Sequence, residues 1–285
     1  MSSEIDWTYP NMGMFYSDKP PIRGTFNGRV EKAKRFGINR IEIPFDLVRL
    51  ENEEYFLLNK KIGNIPEQGD FKTLYGKEVN GHFTYILHTD PELKPRHYLR
   101  WNKKKWRKRY LAAIIDFAEF SGRVPYAVEF HPSRKTRSEN HFEDFIVEAL
   151  TMLVDCFEYE CPYVYVENRT NLYISTIENI IQLYEEISDR TSNKERKNFG
   201  FSVDVMQLYS QMGKSVIKEL PKIPADAIKN WHIHYRHQPP TDSDPIDWRQ
   251  VANYIIESQP TLVLPEVFTD QGVQATIEFI ESLLD

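Results

Sequence analysis

Cysteine is nearly absent: the 285 residues hold two, Cys156 and Cys161. They stand where a predicted helix hands over to a predicted strand. Neither a disulfide framework nor a zinc ribbon is available from them, and both read as reduced packing residues. Long apolar runs are missing too. Nothing approaches the about 18 residues of a membrane span, and the opening Met-Ser-Ser-Glu-Ile-Asp-Trp lacks the basic-then-apolar order of a secretory signal. The chain therefore reads as cytoplasmic, with no membrane partner. A net charge of −6 argues against wholesale nucleic-acid binding, although where charge sits matters more than its sum. With 41% hydrophobic and 27% charged residues, and with no low-complexity tract or obvious linker, residues 1–285 read as one globular domain of barrel size.

From residue 38 onward, apolar runs of strand length alternate with segments of helical period, the pattern of βαβ units around a parallel sheet. The predicted strands are Ile38 to Pro44, Phe83 to His88, Val124 to His131, Tyr163 to Glu167, Phe199 to Asp204, Asn230 to Tyr235 and Thr261 to Glu266. A first strand within Ile5 to Tyr16 completes eight, so the expected fold is an α/β (β/α)₈ TIM barrel. Helical spacing of apolar residues covers Asn140 to Val154, Ser175 to Ile187, Asp247 to Ile256 and Gln271 to Leu284. Ser175 with Glu178 fits a capping box, and Pro245 and Asp247 open the helix near Trp248. The Gly- and Pro-punctuated stretch at about 50–82 reads as a long excursion after the second strand, where barrels shape their substrate pockets.

Four segments in the second half end an apolar run on a residue able to bind metal: Tyr165-Val-Glu-Asn168, Ser202-Val-Asp-Val205, Trp231-His-Ile-His234 and Leu264-Pro-Glu-Val267. A barrel gathers its functional groups from the C-terminal ends of different strands, which brings Glu167, Asp204, His232 and Glu266 to one mouth. Three carboxylates and an imidazole suit a divalent ion that accepts mixed O and N donors: Zn, Mn, Co or Mg. His234 has the parity of His232 but lies roughly 6 to 7 Å higher along the strand, too far for both rings to reach one ion without a bend.

These strand-end motifs resemble the xylose-isomerase-like barrel superfamily, which holds sugar isomerases and epimerases and the endonuclease IV type of apurinic-site repair enzyme (AP endonuclease family 2). The resemblance covers most of the chain and implies the ligand set just named. Two further residues are similar to the endonuclease IV branch: His88 in Ile86-Leu-His-Thr-Asp90 and His131 in Glu129-Phe-His-Pro-Ser133. With Glu167 bridging, they imply a second metal about 3.5 to 4 Å from the first, the spacing used for displacement at phosphorus. The chain also departs from that branch. Gln207 replaces a histidine, and His237 to Pro245 offers no Asp-x-His pair, so a third metal is not expected. Gln207 likewise replaces a substrate-binding histidine of the ketose epimerases.

Two chemistries follow from the resemblance. In one, one or two metal ions held by His88, His131, Glu167, Asp204, His232 and Glu266 serve hydrolysis of a phosphoester in abasic-site DNA or a related sugar phosphate. In the other, a single ion orients a sugar or sugar phosphate while Glu167 and Glu266 act as acid and base in isomerisation or epimerisation. A barrel that binds without turnover is the third reading. Arg134, Arg169 and Arg236 follow candidate ligands closely and, with Gln207 and His234, make a substrate- or phosphate-binding rim. Residues 94–110 contain no acid and interleave Tyr98, Trp101, Trp106 and Tyr110 with Lys and Arg, a pattern for nucleic-acid contact. The competing reading is a solvated helix face, in which Leu99, Trp106, Tyr110, Ile114 and Phe117 pack on the barrel.

Overall fold

The computed structural model describes residues 5–10, 26–45, 47–49, 55–57, 83–88, 104–132, 141–157, 160–258 and 262–284. In chain order the elements are β1 (Asp6–Trp7), α1 (Phe26–Arg35), β2 (Arg40–Pro44), β3 (Leu47–Arg49), β4 (Tyr55–Leu57), β5 (Thr84–His88), α2 (Lys104–Ser121), β6 (Ala127–Phe130), α3 (Phe142–Phe157) and β7 (Tyr163–Glu167). Then come α4 (Ile177–Arg190), α5 (Asn193–Arg196), β8 (Phe199–Asp204), α6 (Val205–Met212), α7 (Val216–Glu219), β9 (Ile228–Ile233), α8 (Trp248–Ser258), β10 (Leu262–Pro265) and α9 (Asp270–Leu284).

Eight strands pair in parallel in the order β1-β10-β9-β8-β7-β6-β5-β2. The two ends meet through Tyr9, whose N–H donates to the Arg40 carbonyl and whose own carbonyl accepts from the Glu42 N–H, each at 2.9 Å. That contact makes the sheet a barrel, and with helices between the strands the fold is (β/α)₈. β3 and β4 form a separate antiparallel hairpin at the start of the excursion. Apart from that hairpin, the excursion lies outside the described residues.

The strands read as unbroken apolar runs because both their faces are covered, by helices outside and by neighbouring side chains within. All six residues of β8 are buried. α3 shows the outer layer: Phe142, Phe145, Ile146, Ala149, Leu150 and Leu153 recur at helical spacing and are buried. Phe145 sets its ring edge-on to Phe130 of β6 at 4.8 Å, and truncating such a side chain to Ala would cost about 3–5 kcal/mol. α1 ends at Gly37, whose φ of 69° lets the Ile38 N–H return to the Ala33 carbonyl at 2.9 Å. On β8, a Cβ at Gly200 would run into Lys229 and the Ala227 carbonyl, so the β8–β9 approach requires glycine there.

Several local expectations shift. The capping box of α4 is Thr176 with Asn179, not Ser175 with Glu178: Asn179 N–H donates to Thr176 Oγ1, and Thr176 N–H donates to Asn179 Oδ1, each at 3.2 Å. Ser175 N–H joins the same Asn179 oxygen at 3.3 Å, which is why the start reads one residue early. Asp247 does open α8, accepting from the Gln250 N–H at 3.1 Å. Both cysteines are free, but Cys156 is exposed and does not pack. Among the described residues, no helix is long and apolar enough to cross a membrane.

Candidate metal centre

Strand ends and register decide which side chains meet. β5 ends on His88, β7 on Glu167 and β8 on Asp204. His131 follows β6 directly, and Glu266 follows β10. Residues paired across parallel strands face the same way, and Asp204 pairs with His232. Every one of these six side chains is buried, the most open being His88 and Glu266, each at 6% exposure.

The six side chains form two donor groups joined by one carboxylate. In the first, His88 Nε2 lies 2.9 Å from His131 Nε2 and 3.2 Å from Glu167 Oε2, and His131 Nε2 also contacts that oxygen. In the second, the donor atoms of Glu167, Asp204, His232 and Glu266 all lie within 4.8 Å of one another. His232 Nδ1 is 4.0 Å from Glu167 Oε1 and 3.6 Å from Glu266 Oε2. Glu167 therefore turns one oxygen to each group.

Asp204 is held in place twice. Its Oδ1 caps α6 by accepting from the Gln207 N–H at 2.9 Å. Its backbone is clasped by Asn168, whose side chain donates to the Asp204 carbonyl and accepts from the Asp204 N–H, both at 2.9 Å. Oδ2 is thereby left facing the barrel axis, 3.3 Å from His234 Nε2.

His234 approaches the centre through a bend. It stands beyond the end of β9, immediately before a tight turn with Arg236 and His237 at φ of 54° and 59°. The chain bends there, and His234 Nε2 comes within 3.1 Å of Glu266 Oε2, so the two rings do share a carboxylate. The His237 N–H donates to His234 Nδ1 at 2.9 Å, and the two imidazoles stack at 4.5 Å. Burial opposes a second proton on this ring, while Asp204 and Glu266 draw one in, toward a pKa of about 10. Yet the amide already points at Nδ1, so that nitrogen keeps its lone pair and Nε2 carries the proton. His234 thus sits as a donor to Asp204, with Glu266 at ion-pair distance.

The donor set fits a divalent ion. Glu167 Oε1, His232 Nδ1 and Glu266 Oε2 are fully buried and, among the described residues, have no hydrogen-bond partner. Orphaned buried polar atoms are costly, and a cation among them would satisfy all three. Without one, protons serve instead. Burial depresses His88, but Glu42, Glu167 and Glu129 outweigh it and hold its pKa at about 9. His232 is raised well above its ordinary value by Glu129, Glu266 and Glu167 against burial. His131 goes the other way, to about 4, because burial dominates the pull of Glu167. Glu266 stays ionised despite burial, stabilised by His234 and His232.

The other predicted residues divide. Arg169 reaches the centre, with Nη1 3.6 Å from Glu167 Oε1 and about a quarter of its side chain, 27%, exposed. Gln207 is a clamp: its side-chain oxygen accepts from the Thr170 N–H at 3.1 Å, fixing the loop after β7. Arg236 is exposed and lies over Tyr235 at 5.4 Å. Arg134 lies outside the described residues. So does the basic segment up to Lys103. In its remainder Tyr110 is buried edge-on to Phe45, and Arg107 is buried in a two-point pair with Glu148 at 2.9 and 3.0 Å. Neither is available to a nucleic acid.

Two buried acids escaped the sequence reading. Glu129 sits within β6 at 0% exposure and Glu42 within β2 at 1%. Each lies two residues before a strand-end position, and that parity alone turns it inward beneath the centre.

No protein-family model and no curated protein sequence matches the chain. Solved structures do. The chain is similar to IolI protein with a bound zinc atom at 13% identity over 98% of both chains, with a TM-score of 0.62. It is similar to AP endonuclease, family 2, from Brucella melitensis at 11% identity over 97% of this chain and 99% of that one, with a TM-score of 0.62. It is also similar to D-psicose 3-epimerase from Clostridium cellulolyticum H10 at 11% identity over 99% of this chain and 100% of that one, with a TM-score of 0.61. These likenesses bear out the fold alone, a (β/α)₈ barrel.

Proposed function

We infer that the protein is a divalent-metal-dependent enzyme that hydrolyses a phosphoester, with abasic-site DNA or a related sugar phosphate as substrate. The observation that carries this reading is Glu167, one of whose oxygens faces His88 and His131 while the other faces His232 and Glu266. A single carboxylate serving two donor sets is how a barrel mouth would hold a pair of ions. The resident ions would be Zn, Mn, Co or Mg. When bound, a metal pair supplies an activated water and neutralises charge on the phosphoryl group. The chain's own residues do the rest. Asp204 and Glu266 are locked in place by Asn168, the Gln207 amide and His234, and Arg169 brings a guanidinium to the open side, where a phosphate oxygen would be met by two N–H groups. The AP endonuclease family 2 likeness supports this chemistry.

A sugar isomerase or epimerase is the second reading, favoured by the D-psicose 3-epimerase likeness and by the four-residue group around one position. There Glu167 and Glu266 would exchange a proton with the sugar carbon from two sides. The test is metal-loaded protein incubated with an abasic-site duplex and, separately, with ketoses and their phosphates. Nicking of the duplex supports the hydrolase. Solvent deuterium appearing at a sugar carbon, with an intact duplex, supports the isomerase instead.

A further inference from the structure

Beneath the mouth, Glu129 is a carboxylate that the proposed chemistry does not use. It projects from β6 into the barrel at 0% exposure. Its two oxygens have different surroundings. Oε2 accepts from Ser202 Oγ at 2.7 Å and from Asn230 Nδ2 at 3.5 Å, and Asn230 also donates to Ser202 Oγ at 3.0 Å. Those two polar residues fix the carboxylate from the β8 and β9 side. Oε1 lies 3.2 Å from His232 Nε2 and 3.6 Å from His88 Nε2. Both Glu129 Oε1 and His232 Nε2 are buried and, among the described residues, neither has a hydrogen-bond partner, so the 3.2 Å approach is a charge contact that a small turn of the ring would convert to a hydrogen bond.

The geometry points to Glu129 as the positioning residue of the metal centre, acting through His232. A neutral imidazole has one N–H and one lone pair, and the partner of one nitrogen decides the role of the other. With Glu129 taking the Nε2 proton, Nδ1 is left as the lone pair, and Nδ1 is the nitrogen that faces Glu167 and Glu266. A ligating histidine whose second nitrogen donates to a carboxylate is oriented and made more basic, and loss of that partner typically costs 10–100-fold in metal affinity. Ser202 and Asn230 complete the relay by keeping Oε1, and not Oε2, under the ring. His88 belongs to the same layer, since its Nδ1 lies 3.9 Å from Glu42 Oε1. Glu42 and Glu129 thus stand under one histidine of each donor group.

This inference rests on the metal centre proposed above, and the experiment separates the two. Purified full-length protein is stripped of metal and titrated with zinc in chelator-buffered solutions, and with Co²⁺ followed by its visible absorption. If the wild type takes up no metal, the metal centre itself is wrong. If it does, Glu129→Gln should bind at the His232 site about 10–100-fold more weakly and shift the Co²⁺ bands, because a neutral amide can present either an acceptor or a donor to Nε2. The His88–His131 site should keep its affinity. Ser202→Ala, which leaves the carboxylate but frees it to rotate, should lose about fivefold by the same route. Should Glu129→Gln fail to fold, Ser202→Ala carries the test. Wild-type zinc affinity and unchanged Co²⁺ bands in a folded Glu129→Gln, or in Ser202→Ala when that variant is the one available, would overturn the assignment. So would an equal loss at both sites, which would mark a general structural role.

Discussion

Replacing His131 by Ala asks whether the centre holds two ions. The ring is fully buried, and its Nε2 faces His88 and Glu167 but not the His232 group. Tetrahedral protein zinc sites release about 10–16 kcal/mol over four ligands, or about 3 kcal/mol per ligand. At 1.4 kcal/mol per tenfold, losing one of three protein ligands weakens that site by roughly two orders of magnitude. The other group keeps all four of its donors. Metal analysis at a free zinc level between the two dissociation constants should therefore give two equivalents for the wild type and one for His131→Ala. Because burial keeps this ring neutral near pH 7, its removal takes no charge from the pair with Glu167, so the variant should stay folded. Circular dichroism checks the fold. The bridge argument is refuted if His131→Ala retains two equivalents of unchanged affinity, or if the wild type never exceeds one.

The two histidines after β9 should separate: His232→Ala should abolish tight binding at the carboxylate-rich site, whereas His234→Asn should keep stoichiometry and lose only part of the affinity, as read by the same titration. The reverse pattern would show that the His237 amide does not fix the tautomer of His234. Metal uptake should release protons and tighten as pH rises from about 6.5 toward 9, because His88 and His232 carry raised pKa values and must deprotonate to bind. Metal-free protein should behave oppositely: the stability from these raised histidines is complete below about pH 6.5 and is lost as pH climbs through about 9, which urea melts in chelator would show. Arg107→Met should lower stability by about 1–2 kcal/mol, through the lost partly exposed pair with Glu148, without changing duplex affinity. Neutralising Arg96, Arg100 and Lys103 together should instead flatten the salt dependence of duplex binding by about one log-log unit per lost phosphate contact, and no change in slope would remove the segment from the interface.

How much of this could be read from the chain follows from what strands and sites each write into sequence. β7 and β8 fall on the predicted residues because an interior parallel strand is an unbroken apolar run that stops on a polar residue, here Glu167 and Asp204. α1 was not anticipated. Its ten residues, Phe26 to Arg35, place only Phe26, Val30 and Ala33 at helical spacing among polar and basic neighbours, too few apolar residues to stand out. Whether His234 approaches the centre was not legible in the sequence, because ideal strand geometry holds only to Ile233, after which the backbone takes two consecutive positive φ values and bends. Glu129 and Glu42 were missed for a different reason. Each interrupts a strand in Val-Glu-Phe or Ile-Glu-Ile, where a single acid resembles an outward-facing polar residue of an ordinary alternating strand. The decisive signal was available two positions on. If His131 faces the axis, period two turns Glu129 to the same side, and an ionisable group buried there needs cationic or hydrogen-bonding partners. His88, His232, Ser202 and Asn230 are those partners, contributed by three other strands. A strand-end histidine in a barrel is therefore a reason to inspect the residue two before it, since that is where the group that orients a metal ligand would lie.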